Sequence, residues 1–285
     1  MPGTGVDNAI VVGIDASEPS LAAVRWAAEE AVRRGSVLRV VHAALFDEAD
    51  LAPRERAHGD ESALLLEPAH RWLQRAEAVA REAAPGVRVE SSVCLGLAVE
   101  LLIELSEDVP LVVLGSHGSG GLRGADIGSV ALRVAASARC TVVVVRGPPR
   151  NTGPVVVGVG PETEDERVLA VALETAAGRG VPLLAVRVRR DVLWCDELVQ
   201  KEPDVEAERG LASRLSGWIE KYPSVATRAL LVRDRSTGHA LLDAAPDAQL
   251  IVVGTRGRGP VSGGLLGPTG NRLLAHAPCP VAVAR

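Results

Sequence analysis

Residues 115–129 read Gly-Ser-His-Gly-Ser-Gly-Gly-Leu-Arg-Gly-Ala-Asp-Ile-Gly-Ser and directly follow an apolar run, 111–114. Glycines permit backbone conformations closed to other residues and let main chain approach a ligand closely. Successive N–H groups in such a turn form a concavity for anions. A helix beginning at the end of the segment adds further N–H groups and the positive end of its dipole. Ser129 falls in its first turn, where a hydroxyl can cap the helix or donate to a phosphate oxygen. The chemistry this pattern suits is the holding of a polyphosphate. The segment is not a Walker A loop, because the required Lys is missing. It is not a Gly-x-Ser-x-Gly elbow either, since His117 stands two places before Ser119. A second polar residue, Asp15, follows the run 10–14. It can turn toward a ligand or simply open an Asx turn into a helix. Gly115 and Gly118 likewise serve a ligand cradle or a tight turn. Arg123 is placed to reach a phosphate or solvent, Asp126 to assist a metal. His117 sits at a variable spot and is not read as catalytic, and His42 reads as structural at a strand end.

These residues need elements to position them. In the first half, apolar runs at 10–14, 37–43, 87–93, 111–114 and 141–145 alternate with helical patterns at 21–34, 62–84, 98–105 and 129–136. Gly35 supplies a helix stop. The second half repeats this order, with strands at 155–159, 183–188, 227–232, 250–253 and 280–284. Ala9-Ile-Val-Val-Gly-Ile-Asp15 parallels Pro154-Val-Val-Val-Gly-Val-Gly160, and Leu111-Val-Val-Leu-Gly115 parallels Leu250-Ile-Val-Val-Gly254. Continuous apolar strands between helices imply parallel sheets covered on both faces. The expected architecture is therefore α/β, two tandem doubly wound domains. The first spans 1–146 and the second 154–285, with a Pro/Gly-rich linker at 147–153. Residues 46–60 and 191–204 read as surface loops, with Trp194 as a lid or packing residue.

The 285 residues suffice for two domains of ordinary size. Net charge is −5, and no basic stripe is visible, which speaks against nucleic acid as a partner. Cys94, Cys140, Cys195 and Cys279 form no CxxC pair, so neither a zinc site nor a disulfide framework is expected. The opening residues lack a signal-peptide pattern and no run reaches membrane-spanning length. A cytoplasmic protein without membrane partners is the expectation.

The spacing Gly115, two residues, Gly118, nine residues, Gly128, Ser129 resembles the signature of the universal stress protein family. The opening Val11-Val-Gly-Ile-Asp15 and Val40-Val-His-Ala43 resemble that family's first strand and turn and the end of its second strand. The resemblance extends over almost the whole chain, in two copies. It implies a five-stranded parallel sheet of order 3-2-1-4-5 in each half. It further implies ATP or another adenine nucleotide at the carboxyl ends of the strands, with Mg2+ or Mn2+ as accompanying ions. Asp15 would lie by the nucleoside, Ala43 near the adenine, and Gly115, Gly118, Gly128 and Ser129 at the phosphates. The domains would pair through their last strands, as an intrachain pseudo-dimer able to dimerise further as a homodimer. The implied role is a nucleotide-binding stress-response regulator working through a regulatory protein partner.

The second half keeps Gly254, Gly257 and Gly267 at the same spacing but continues with Pro268, so Thr269 comes one place late. Proline offers neither hydroxyl nor N–H. Gly160 replaces the carboxylate of Asp15, and Arg187 stands where the first half has His42. This copy is expected to bind nucleotide weakly or not at all. Two other classes stay open on sequence alone. One is a nucleotide-independent scaffold. The other is an enzyme on this fold, at most a slow ATPase, since no constellation for efficient phosphoryl transfer is visible.

Overall fold

Runs such as Ala9-Ile-Val-Val and Leu111-Val-Val-Leu lack polar alternation, so they are stable only where both sheet faces are covered. The computed structural model places them so. It describes residues 8–44, 60–118, 127–160, 166–189, 204–255 and 266–285. The chain divides into two units, residues 1–145 and 146–285.

The first unit contains, in order, β1 (Ala9–Ile14), α1 (Glu18–Arg34), β2 (Val37–Ala44), α2 (Asp60–Ala83), β3 (Arg88–Leu95), α3 (Ala98–Leu105), β4 (Leu111–Gly115), α4 (Ser129–Ser137) and β5 (Thr141–Val145). Its strands are parallel and run β3-β2-β1-β4-β5. The second unit contains β6 (Val155–Gly158), α5 (Glu166–Arg179), β7 (Leu183–Arg189), α6 (Asp204–Lys221), β8 (Thr227–Arg233), α7 (Thr237–Asp243), β9 (Leu250–Gly254), α8 (Pro268–His276) and β10 (Val281–Ala284). Its order, read from the first-unit equivalent of β3, is β8-β7-β6-β9-β10. Both units thus have the 3-2-1-4-5 arrangement. The direction in which successive strands are added reverses between the first and fourth strands, and in such sheets ligands bind beyond the carboxyl ends of the strands at that switch point.

Val11, Val12, Val112 and Val113 are fully buried, as are Val155, Val156 and Val157 at the matching places. β3 and β8, outermost on one side of each order, carry exposed polar residues instead. Helix α1 begins at Glu18, three residues before the periodicity announces it, because Ser17 caps it and Pro19 fits its first turn. It stops at Gly35, whose φ of 63° is the left-handed conformation a helix end requires. Asp60, read as the end of a loop, is the first residue of α2. The stretch 147–153 lies against the second unit: Arg150 donates to the carbonyl of Pro246, and the α-carbon of Gly147 abuts the Pro278 carbonyl. Most of the two predicted loops, with Trp194, falls outside the described residues. Among the described residues no helix is long and apolar enough to cross a membrane.

Candidate functional site

The site is built where β1 and β4 end side by side. Their register pairs Ile10 with Leu111 and Val12 with Val113. That brings Asp15, one residue past β1, level with the start of the glycine segment past β4. Asp15 does open a turn: its Oδ1 accepts from the Ser17 N–H at 3.0 Å and from the Ser17 hydroxyl. The Ser17 hydroxyl oxygen in turn caps α1 by accepting from the Ser20 N–H at 3.3 Å. The buried Ser20 hydroxyl donates back to the Asp15 and Ser17 carbonyls, each at 2.8 Å. Three residues therefore lock one another, and the carboxylate is held in one orientation.

That orientation matters for Gly118. A β-carbon there would run into Oδ2 of Asp15, so the Asp15 carboxylate rests directly on the Gly118 α-carbon. Gly115 is crowded from another side. A β-carbon on it would stand 2.6 Å from the carbonyl carbon and oxygen of Pro19 and 2.8 Å from the Ser20 nitrogen. The first turn of α1 thus packs on the end of β4 at a distance only glycine allows. The far end of the segment returns to its start: the Gly128 N–H donates to the Ser116 carbonyl at 2.7 Å. A β-carbon on Gly128 would lie 3.1 Å from the His117 α-carbon. Three glycines and Asp15, separated by up to 113 residues in sequence (128 − 15), are one cluster. Residues 119–126, including Arg123 and Asp126, lie outside the described residues.

Ser129 does not cap α4. Gly128 occupies the N-cap position, and Ser129 is the first helical residue, exposed beside the returning loop. A glycine cap contributes no side-chain acceptor, so the helix start is served by backbone and by whatever lies in front of it. His117 holds its Nδ1 3.0 Å from the buried Ser116 hydroxyl, a local contact. His42, paired with Ile14 across β1 and β2, places Nδ1 3.0 Å from the Ile14 carbonyl and ties the two strand ends together. Ala43 follows it, half-buried and opposite Cys94 of β3.

The second unit repeats the frame with different chemistry. Its register aligns Val186 with Gly158, as Val41 aligns with Gly13, so Arg187 occupies the place of His42. Arg187 is buried and donates to the Ala207 carbonyl at 3.0 Å. Arg214 reaches over from α6 and donates to the Gly160 carbonyl at 2.6 Å. A guanidinium therefore sits on the backbone of the residue whose counterpart in the first unit carries a carboxylate. Among the described residues Gly254 is less crowded than Gly115, since a β-carbon there would meet Cγ2 of Val168 at 3.2 Å and no backbone. Gly267 is the N-cap of α8, Pro268 its first residue and Thr269 its second. Gly257 lies outside the described residues.

The sequence offered Asp15 as an Asx-turn residue, with Ser17 and Ser20 as alternatives, but not their mutual lock, nor the reach of Arg214. The Ser-x-Pro-Ser spacing was the available signal for the first. Arg214 had none, because its partner lies 54 residues away.

The family model described as universal stress protein family matches residues 8–146 and again 151–285. A universal stress protein of Mycobacterium tuberculosis (strain ATCC 25618 / H37Rv) is 36% identical over 294 residues, covering 97% of this chain and 96% of its own. One from Mycobacterium bovis (strain ATCC BAA-935 / AF2122/97) is 34% identical over 296 residues, covering 98% and 97%. The crystal structure of a universal stress protein from Archaeoglobus fulgidus DSM 4304 shares the fold with a TM-score of 0.71, at 18% identity, over 99% of this chain and 98% of that one. With both copies of the sheet, both glycine segments and nearly full-length relatives in agreement, the chain belongs to the universal stress protein family, in its tandem two-domain form.

Proposed function

We propose that the first unit binds an adenine nucleotide, ATP foremost, and that the protein acts as a nucleotide-responsive stress regulator. The observation that carries this reading is the cluster of Asp15, Gly115, Gly118 and Gly128 at the strand switch point. The three glycines let the first turn of α1, the Asp15 carboxylate and the returning segment pack closely on the end of β4, at a position where backbone N–H groups and the start of α4 can meet negative charge. On this reading Gly115, Gly118, Gly128 and Ser129 hold the phosphates and Asp15 receives the nucleoside hydroxyls. Ala43 borders the base, and Mg2+ or Mn2+ enters with the polyphosphate. The choice of adenine rests on the family to which the chain belongs. Occupancy would be read by a regulatory protein partner in the cytoplasm. The second unit, with Gly160 under Arg214 and Pro268 at the helix start, is a degenerate copy that keeps the fold.

Calorimetric titration of the purified chain with ATP tests this. The expected result is one tight site per chain, abolished by Asp15→Ala. Two equal tight sites, or none, would overturn it. Mass spectrometry of ligand released on denaturation identifies the nucleotide carried from the cell.

A further inference from the structure

Trp72 is one of the few large apolar side chains left exposed among the described residues, at 36% of its surface. It lies on α2, and its ring meets that of His42 edge-on, with centroids 5.0 Å apart and planes at 72°. His42 is itself held by the Ile14 carbonyl, one residue before Asp15. One turn along α2, Arg75 donates to Glu18 at 2.6 Å and ties the helix to the first turn of α1. Trp72 is therefore fixed at the carboxyl ends of β1 and β2, beside the strand end that leads into Asp15.

The second unit serves as an internal control. Arg187 replaces His42, and the α6 residue facing it is Gly210: a β-carbon there would stand 3.3 Å from Arg187 Nη1. Both members of the aromatic pair are thus exchanged in the copy that also lacks the Asp15 carboxylate and the Ser129 hydroxyl.

We propose that Trp72, braced by His42, is the surface on which the base of the bound nucleotide stacks in the first unit, so that Trp72 sets the affinity for a nucleotide over bare polyphosphate. This rests on the nucleotide reading above. An aromatic ring offers a base a flat apolar face, and such stacking typically changes affinity by about tenfold or more.

The test titrates the full chain and its Trp72→Ala and Trp72→Phe variants with ATP and with inorganic tripolyphosphate. Trp72→Ala is expected to weaken ATP about tenfold and leave tripolyphosphate unchanged, while Trp72→Phe retains most of the affinity. The chain also carries Trp26, Trp194 and Trp218, so the ATP-dependent tryptophan fluorescence change should fall in Trp72→Phe by the share that Trp72 carries. Equal weakening of both ligands, or a fluorescence response undiminished in Trp72→Phe, overturns the stacking role while leaving nucleotide binding intact. Absence of ATP binding by the unmodified chain overturns both.

Discussion

Gly115→Ala and Gly254→Ala are the same substitution at matching places in the two units, and the structure assigns them different costs. In the first unit the new methyl would face backbone of Pro19 at 2.6 Å and of Ser20 at 2.8 Å. Comfortable carbon contacts lie at about 3.5–4.0 Å. The first turn of α1 would have to withdraw by roughly 0.9 Å, and Asp15, Ser17 and Ser20 are locked into that turn. Overpacking against such an unyielding neighbour costs about 1–3 kcal/mol. For a unit of this size that is a fall of roughly 2–12 °C in its melting temperature. In the second unit the neighbour among the described residues is one methyl of Val168 at 3.2 Å, which can give by about 0.3 Å. Its cost should stay below about 1 kcal/mol. Scanning calorimetry of both variants, with ATP titration in parallel, separates the cases. Gly115→Ala should melt earlier than Gly254→Ala and lose at least about tenfold in ATP affinity, because a 1 Å displacement of the cradle misplaces several N–H donors together. Gly254→Ala should leave ATP affinity within about twofold. If the two variants melt alike and both bind ATP normally, the close approach of α1 to β4 is not what shapes the site.

Two predictions concern protonation. Burial pushes the Cys279 thiol up to about 12, against the opposing pull of Arg150 and Arg146. The thiolate is the reactive form. At pH 8 a thiol reagent should therefore label half-exposed Cys94 and spare Cys279 until the protein is denatured, as peptide mapping would show. Labelling of native Cys279 at the rate of Cys94 would refute the burial. Asp204 is held below the usual carboxylate range, chiefly by the hydrogen bond from Arg233 and secondarily by that from Arg189. A depressed folded pKa contributes stability above the unfolded value, near 3.9, that is lost as pH falls through the folded one. Asp204→Asn should thus melt below the unmodified chain at pH 7, and the difference should close below about pH 4. A difference independent of pH would mean that packing, not charge, fixes the start of α6.

The sequence by itself determined the elements and their order. Continuous Val and Leu runs can be stable only between two helical layers, and the repeat of Val11-Val-Gly13 as Val156-Val-Gly158 made the duplication visible. The glycine spacing also marked the points where main chain approaches closely, because that is a property residue type alone can encode. Tertiary structure decided how those residues divide their work. Asp15 both forms its turn and rests on Gly118, a contact between residues 103 positions apart (118 − 15) that no local pattern specifies. Ser129 gives up the cap to Gly128 because the chain must come back to the Ser116 carbonyl before the helix can start. The pairing of Trp72 with His42, and the reach of Arg214 to Gly160, depend on how helices settle on the sheet. Helix periodicity reveals which face is buried but not which strand end that face will meet, and side-chain partners chosen across the sheet are fixed only when the layers pack.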